Sequence, residues 1–392
     1  MKIAFIVHTA YPDFIGGREH HVHHLASALS KTDEVKVFAG GSNKTIEQRT
    51  INGYSLVTLP MISVRLCKNP LQIYRIIPSL YSWLNKERFD IIHAFEYGSF
   101  STHIACFFAK RHSLPLFLTF YSYQLENPFL KVLKKIYDRL MGRALFKFAE
   151  KIICVSAVQH QEIINFGNAK NFKDKIIIQA NCISTNEYET IPVSDELGLL
   201  RQDDKLKILT LTRILPRKGI KNLIYAMNEI IHKHKFNEVT LLLAGPDCGE
   251  TDFLKEEVKR LKLQDSVFFM GPIAYERTKE LIAISDIFVL PSLYEGLPLS
   301  VLEAMAAGKA VIFSKLPCSH ELITHETDGL LVESGDINVL VQSILRLVRD
   351  KELRERLGRN AKSKAKKFDI HEEAERLRIL YKQAVIRREK NM

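Results

Sequence analysis

Two glutamates stand eight residues apart in SLYEGLPLSVLEAMAAG, residues 292–308. Glu295 lies in the approach, and Glu303 lies inside PLSVLEAMAA, a run apolar on every side except for Ser300 and Glu303. A helix that is apolar all round is a buried helix, and a buried carboxylate is costly unless something pairs with it. A structural ion pair would satisfy Glu303. So would a ligand with two neighbouring hydroxyls, such as a ribose diol, which a carboxylate accepts in bidentate fashion. Pro298 suits a first helical position and Gly308 a helix end. The open N–H groups around Gly296–Leu299 favour an anion or sugar oxygens.

Two more segments carry charge or bare backbone. In LTRILPRKG, residues 211–219, Arg213 ends an apolar run, and Arg217 and Lys218 precede a helical pattern. Basic side chains at a strand's carboxyl end suit a diphosphate, and a solvated surface would account for them equally well. In GGREHHVHHLASAL, residues 16–29, Gly16 and Gly17 let the main chain come close to a phosphate or sugar. His20, His21, His23 and His24 follow, which raises the question of a metal site. At helical spacing Val22, Leu25, Ala26 and Leu29 form one apolar stripe. His20 and His24 are expected opposite it, facing solvent, and His21 and His23 beside it. No other Cys or His has metal-site spacing, so no metal site is expected.

These residues need strands and helices to hold them. Apolar runs at 2–7, 34–40, 54–59, 90–95, 115–120, 151–156 and 175–180 alternate with helical patterns. A polar stretch at 186–205 reads as a linker. A second series follows at 205–212, 238–245, 265–271, 286–291, 309–314 and 329–332. Such alternation predicts an α/β chain of two doubly wound parallel sheets. Their facing ends would form a cleft, since ligands bind beyond the carboxyl ends of strands. The expected domains are 1–192 and 193–370, with a charged helix at 371–392 crossing back to the first.

The 392 residues are too many for one ordinary core. The net charge of +11 is concentrated in residues 1–192, with 23 Lys and Arg against 15 Asp and Glu. Seven basic residues interleave with Phe129, Leu130, Leu133, Ile136, Tyr137, Leu140 and Phe146 in residues 127–151. The pattern predicts a basic amphipathic helix that packs on its own domain or lies on anionic lipid. Nucleic acid is not an expected partner. The six cysteines are scattered with no C-x-x-C pair, as in a reduced cytosolic protein. The apolar run at 2–7 is too short for the apolar region of a secretory leader, so none is expected, and no membrane-spanning helix is expected either. Neither G-x-G-x-x-G after the first strand nor a P-loop is present. No D-x-D occurs to hold a metal–nucleotide diphosphate.

The three segments, together with DIIHAF, VSAVQHQEI and HETDGLLV, resemble glycosyltransferase family 4 of the GT-B fold over nearly the whole chain. The E-x7-E pair Glu295 and Glu303 is the strongest signature. The resemblance implies retaining, metal-independent transfer of a sugar from a nucleotide-sugar, a UDP- or GDP-sugar, with no cofactor. It implies that Arg213 and Lys218 neutralise the leaving diphosphate and that Glu303 holds the ribose. Glu295, with Gly296 and Leu297, would hold the donor sugar. Ile273 would lie at the base, and Gly16 and Gly17 at the phosphates. Glu295, Arg213 and Lys218 are the expected catalytic residues. His93, Tyr121 and His21 are expected on the acceptor side, where the acceptor is a lipid-linked sugar or a glycan. A peripheral place on the inner face of the cell membrane is expected, through 127–151.

Four positions depart from the family pattern. Tyr121 stands where a histidine is usual, and Cys182 and Ser184 interrupt N-G-[IV]-D. Thr212 replaces a glycine, and Pro317-Cys318 replaces a glycine pair. The alternatives on the same fold are a nucleotide-sugar epimerase, a phosphorylase or a catalytically silent nucleotide-sugar-binding subunit.

Overall fold

The protein is described from a computed structural model at residues 1–14, 16–41, 45–65, 73–121, 132, 136–165, 169–198 and 204–390. The chain divides into two compact units. Met1–Asn181 and Ile370–Met392 form the first, and Cys182–Asp369 form the second.

The described residues of the first unit form ten strands: β1 (Lys2–Ile6), β2 (Glu34–Gly41), β3 (Glu47–Ile51), β4 (Tyr54–Pro60), β5 (Ile62–Arg65), β6 (Ile73–Ile76), β7 (Ile91–Phe95), β8 (Leu116–Phe120), β9 (Lys151–Cys154) and β10 (Ile176–Ile178). Eight of them form one sheet in the order β10-β9-β8-β7-β1-β2-β4-β3, parallel except for the β3–β4 hairpin. β5 and β6 pair separately and antiparallel. The second unit holds β11 (Leu206–Leu211), β12 (Val239–Ala244), β13 (Val267–Gly271), β14 (Ile287–Leu290), β15 (Ala310–Lys315) and β16 (Leu330–Glu333). Their order is β13-β12-β11-β14-β15-β16, parallel throughout. A central strand such as β14 is buried at every residue, so it reads as an unbroken apolar run.

Every expected apolar run forms a strand. The sequence reading missed β3, whose EQRTI is polar and half-exposed, and the small β5–β6 pair. The expected boundary at 192/193 also moves, to Asn181/Cys182. The start of the polar stretch is anchored in the second unit. Thr185 Oγ1 donates to Asp369 Oδ2 at 2.5 Å, the Ile183 N–H donates to the Phe368 carbonyl at 3.0 Å, and Tyr188 is buried.

The C-terminal helix Ile370–Lys390 belongs to the first unit and packs on the helix Gly17–Leu29. It explains a wrong expectation: His20 and His24 are buried, as are His21 and His23. A single stripe assumes one covered face, and here the Gly17–Leu29 helix is covered on several. The C-terminal helix packs along it, Tyr11 packs its ring against His20 and His23, and Tyr54 meets His23 Nδ1 at 3.0 Å. Among the described residues no group of three ligating side chains is placed to hold a metal ion.

The expected basic helix lies partly outside the described residues, including Phe129, Leu130 and Leu133 and the side chain of Leu140. Its described part is a wide turn over Asp138–Gly142 running into the helix Arg143–Phe148. Lys151 already belongs to β9, so the helix stops short of the expected end. Leu145 and Phe146 are buried, and the Tyr137 hydroxyl meets His103 Nε2 at 2.7 Å. Val132, Ile136, Met141 and Phe148 are exposed. No described helix is long and apolar enough to cross a membrane.

Two of the polar contacts that fix the C-terminal helix reach the core of the first unit. Arg378 Nε donates to Asp33 Oδ2 at 2.8 Å, and the Tyr381 hydroxyl meets His93 Nδ1 at 2.5 Å. Tyr381→Phe therefore strands a buried ring nitrogen, at a cost of about 1–3 kcal/mol. The expected outcome is a lower urea midpoint for the transition of the first unit, and an unchanged midpoint would show that this contact carries no stability.

Candidate functional site

Two glycines bring the loops of the second unit together. Gly245, after β12, has φ +137, and a Cβ there would lie 1.9 Å from the Thr212 carbonyl oxygen. Gly219 has φ +68, and its Cβ would lie 2.0 Å from the Pro291 carbonyl oxygen, just past β14. Only a residue without a side chain permits such approaches. The loop after β11 is thereby laid against the loop after β14, and the Leu293 N–H donates to the Arg217 carbonyl at 2.7 Å.

That contact places Lys218 beside Glu295. Lys218 Nζ donates to Glu295 Oε1 at 2.6 Å, and Ser292 Oγ donates to the same oxygen at 2.6 Å. Both charged side chains are about nine-tenths buried. Desolvation makes such a pair expensive to break from one side, because the remaining charge is left uncompensated. The two residues expected to hold different parts of a donor thus hold one another. Arg213 is half-buried and pairs with no carboxylate among the described residues. Gly296 and Leu297 lead into the helix Leu299–Ala306, with Pro298 as its extended cap rather than its first residue. Ile273 lies between β13 and the helix Tyr275–Ile284. Its loop is tied down where the Gly245 N–H donates to the Gly271 carbonyl at 2.8 Å.

Glu303 is buried in the second turn of its helix, as its apolar surroundings require. Burial pushes its carboxyl up to about 7, against the opposing pull of the Tyr188 hydroxyl and of the Lys279 charge. No cation forms an ion pair with it among the described residues, since Lys279 pairs with Glu187. A structural salt bridge is therefore not what satisfies Glu303.

The first unit holds the remaining residues. Gly16 caps the helix Gly17–Leu29, and a Cβ on it would meet Glu19 Oε2 at 2.5 Å. The room left by the missing side chain is taken by that carboxylate, which accepts from Thr9 Oγ1 at 2.7 Å and from Arg18 Nη2 at 2.6 Å. His21 Nδ1 meets the Tyr121 hydroxyl at 2.8 Å. Burial pulls His21 down to about 4 and pushes Tyr121 up, so both are neutral at pH 7. His93, expected on the acceptor side, is a core residue. Its Nδ1 meets Tyr381, its Nε2 meets Thr119 Oγ1 at 2.7 Å, and Phe95 stacks on its ring. With both nitrogens engaged and burial holding it neutral, it fixes the C-terminal helix and presents nothing to a substrate.

Residues 198–364 match the family described as glycosyl transferases group 1, and residues 15–187 match glycosyltransferase family 4. An α-1,3-N-acetylgalactosaminyltransferase of Campylobacter jejuni, named for N,N'-diacetylbacillosaminyl-diphospho-undecaprenol, is 30% identical over 270 residues. The alignment covers 67% of this chain and 68% of that one. The chain belongs to glycosyltransferase family 4. An Escherichia coli α-1,3-galactosyltransferase, named for UDP-Gal and α-D-GlcNAc-diphosphoundecaprenol, is 25% identical over 82% of this chain and 83% of its own. Anabaena HepE, crystallised with UDP, superposes with a TM-score of 0.76 at 21% identity, over 98% of this chain and all of that one. That likeness identifies the fold of this glycosyltransferase as GT-B.

Sequence reading of the enzyme did not find Ser292, Tyr188 or Tyr275. Tyr188 falls in a stretch that reads as linker, and nothing in its spacing points to Glu303. Gly219 was legible as a helix start, but not as the point where two loops touch.

A carboxyl raised from its ordinary 4.5 to about 7 on folding binds its proton more tightly in the folded state. Its contribution to stability is then lost as pH rises from about 4.5 to about 7. Glu303→Gln removes that loss. The ligand-free variant is expected to gain up to about 3 kcal/mol over the wild type above pH 7 and little below pH 4.5. Urea unfolding at pH 8 and pH 4.5 checks this, and equal midpoints at pH 8 would count against it.

Proposed function

We propose that this glycosyltransferase moves a sugar from a UDP- or GDP-sugar to a lipid-linked or polysaccharide acceptor, with retention and without a bound metal. The observation that carries this reading is the set of Lys218, Glu295 and Arg213 at the carboxyl ends of β11 and β14, followed by the helix of Glu303, which forms no ion pair among the described residues. Departure of the sugar leaves negative charge on the diphosphate. Arg213, with no carboxylate of its own, and Lys218 supply fixed positive charge where it develops, and the start of the helix Leu299–Ala306 adds backbone N–H groups. A phosphate drawing Lys218 across would leave Glu295 to accept from sugar hydroxyls next to the main chain of Gly296 and Leu297. Glu303 takes the ribose diol, and the main chain near Ile273 takes the base.

Gly16 and Gly17 approach the donor phosphates in this reading, and the acceptor belongs to the first unit, where His21 and Tyr121 lie. Names of the Campylobacter and Escherichia relatives support a diphospho-undecaprenol-linked acceptor, and the Escherichia name and the HepE complex support a UDP-linked donor.

A nucleotide that binds the folded state raises its melting temperature by mass action. A thermal-shift screen of UDP-, GDP- and ADP-sugars is expected to give an upward shift with one of the first two. Glu303→Ala is expected to weaken that ligand by about 2–3 kcal/mol, since it removes a charge-assisted bidentate contact. Unchanged affinity would sink the assignment.

The proposed place of the enzyme is peripheral, on the cytoplasmic face of a membrane, through residues 127–151. Exposed Val132, Ile136, Met141 and Phe148 beside Arg143 and Lys147 support it. Flotation with phosphatidylglycerol vesicles is expected and should weaken with salt. Equal binding to neutral vesicles would argue against it.

A further inference from the structure

Phe107 is 61% exposed, and no large apolar side chain among the described residues is more so. It stands on the helix Phe100–Arg111, which Ala105, Phe108 and Ala109 anchor in the core of the first unit. A single exposed apolar residue is ordinary surface, but Phe107 has company. Phe100, two turns earlier on the same stripe, is exposed as well. Tyr81, on the short helix Leu80–Leu84 packed beside it, has its ring 5.7 Å from that of Phe107. Phe148 is exposed too, with Lys110 Nζ 4.6 Å from its ring centre.

This apolar surface has a recess. A cavity of about 200 Å³ is lined by Phe148, by Cys106 and Ala109 of the helix, and by Leu114 and Leu116 at the start of β8. Lys110 and Ser113 are its polar lining. The surface also continues into the segment for which a membrane position is proposed. His103 Nε2, on the helix, meets the Tyr137 hydroxyl at 2.7 Å, and Tyr137 stands between the exposed Ile136 and Met141.

Negative charge is missing here. No Asp or Glu occurs between Glu96 and Glu126. Lys110 and Arg111 close the helix, and Arg143 and Lys147 lie on the helix Arg143–Phe148 packed on it. All four are exposed, and none pairs with a carboxylate among the described residues. Exposed rings bordered by unpaired cations fit an anionic bilayer. The rings enter the acyl boundary, and long basic side chains keep their charges at the headgroup phosphates.

We propose that the helix Phe100–Arg111 is itself a membrane-docking face. Phe100, Phe107 and Phe148 enter the acyl boundary of an anionic phospholipid bilayer, the cavity beside Phe148 receives a chain end, and Lys110, Arg111, Arg143 and Lys147 meet the phosphates. The inference extends the membrane reading of residues 127–151 and rests on it.

Trp83 is the only tryptophan of the chain, which makes the face directly readable. Trp83→Phe combined with Phe107→Trp moves the single indole onto the face. Trp83→Phe combined with Ile379→Trp moves it to an exposed position on the C-terminal helix. Both full-length variants are mixed with vesicles of phosphatidylglycerol and a phosphatidylcholine brominated in its acyl chains. Bromine is expected to quench the indole at 107 and not the one at 379, and salt should restore the emission. In flotation, Phe107→Ser is expected to lower vesicle affinity about tenfold. Lys110→Glu should lower it about fivefold or more, by a factor that shrinks at high salt. Both positions are exposed, so melting temperatures equal to wild type are expected and show that the variants are folded.

If wild type floats while the indole at 107 is quenched no more than the one at 379, the inference falls. The face is then left to an acidic protein, and the reading of 127–151 stands. Phe107→Ser binding vesicles as wild type does overturns the inference in the same way. If wild type does not float with these vesicles, both readings fall together.

Discussion

The charged face of the second unit depends on one steric permission, the approach of Gly219 to the Pro291 carbonyl. A Cβ at that point would sit 2.0 Å from oxygen, so the loop after β11 reaches the loop after β14 only because position 219 has none. Gly245 does the same work against Thr212 one strand over. From these two contacts follow the Lys218–Glu295 pair, its reinforcement by Ser292, and the half-buried place of Arg213 at the same strand end. Backbone geometry sets where the charges stand, and the charges set what they can hold.

The two carboxylates of this unit are kept in opposite conditions. Glu295 has an ammonium and a hydroxyl on one oxygen. Glu303 is buried and forms no ion pair among the described residues. Its ionised form is expensive in the empty protein, which is the usual condition of a group whose partner arrives from outside.

The strand series was legible because buried parallel strands are continuous apolar runs, and the helix around Glu303 because it is apolar on all sides. Lys218 and Glu295 were legible as charges at strand ends, but not as partners, since they are 77 residues apart in sequence. The histidines show the opposite failure. A stripe drawn on one helix predicts solvent wherever the helix is polar, and it takes no account of a second helix arriving from residues 370–390. His93 was misread for the same reason, because Tyr381, 288 residues away, takes its nitrogen. Long-range packing by polar side chains leaves no periodicity to read.

The helix Ile370–Lys390 also has a consequence for how the chain is made. Its Tyr381 and Leu377 are core residues of the first unit, yet they are the last segment of that unit to be synthesised. All of Cys182–Asp369 emerges from the ribosome in between. The sheet that is translated first must therefore wait, with the flank of its Gly17–Leu29 helix uncovered, until the second unit is complete and the final helix arrives. The unit that begins the chain is the one that finishes folding last.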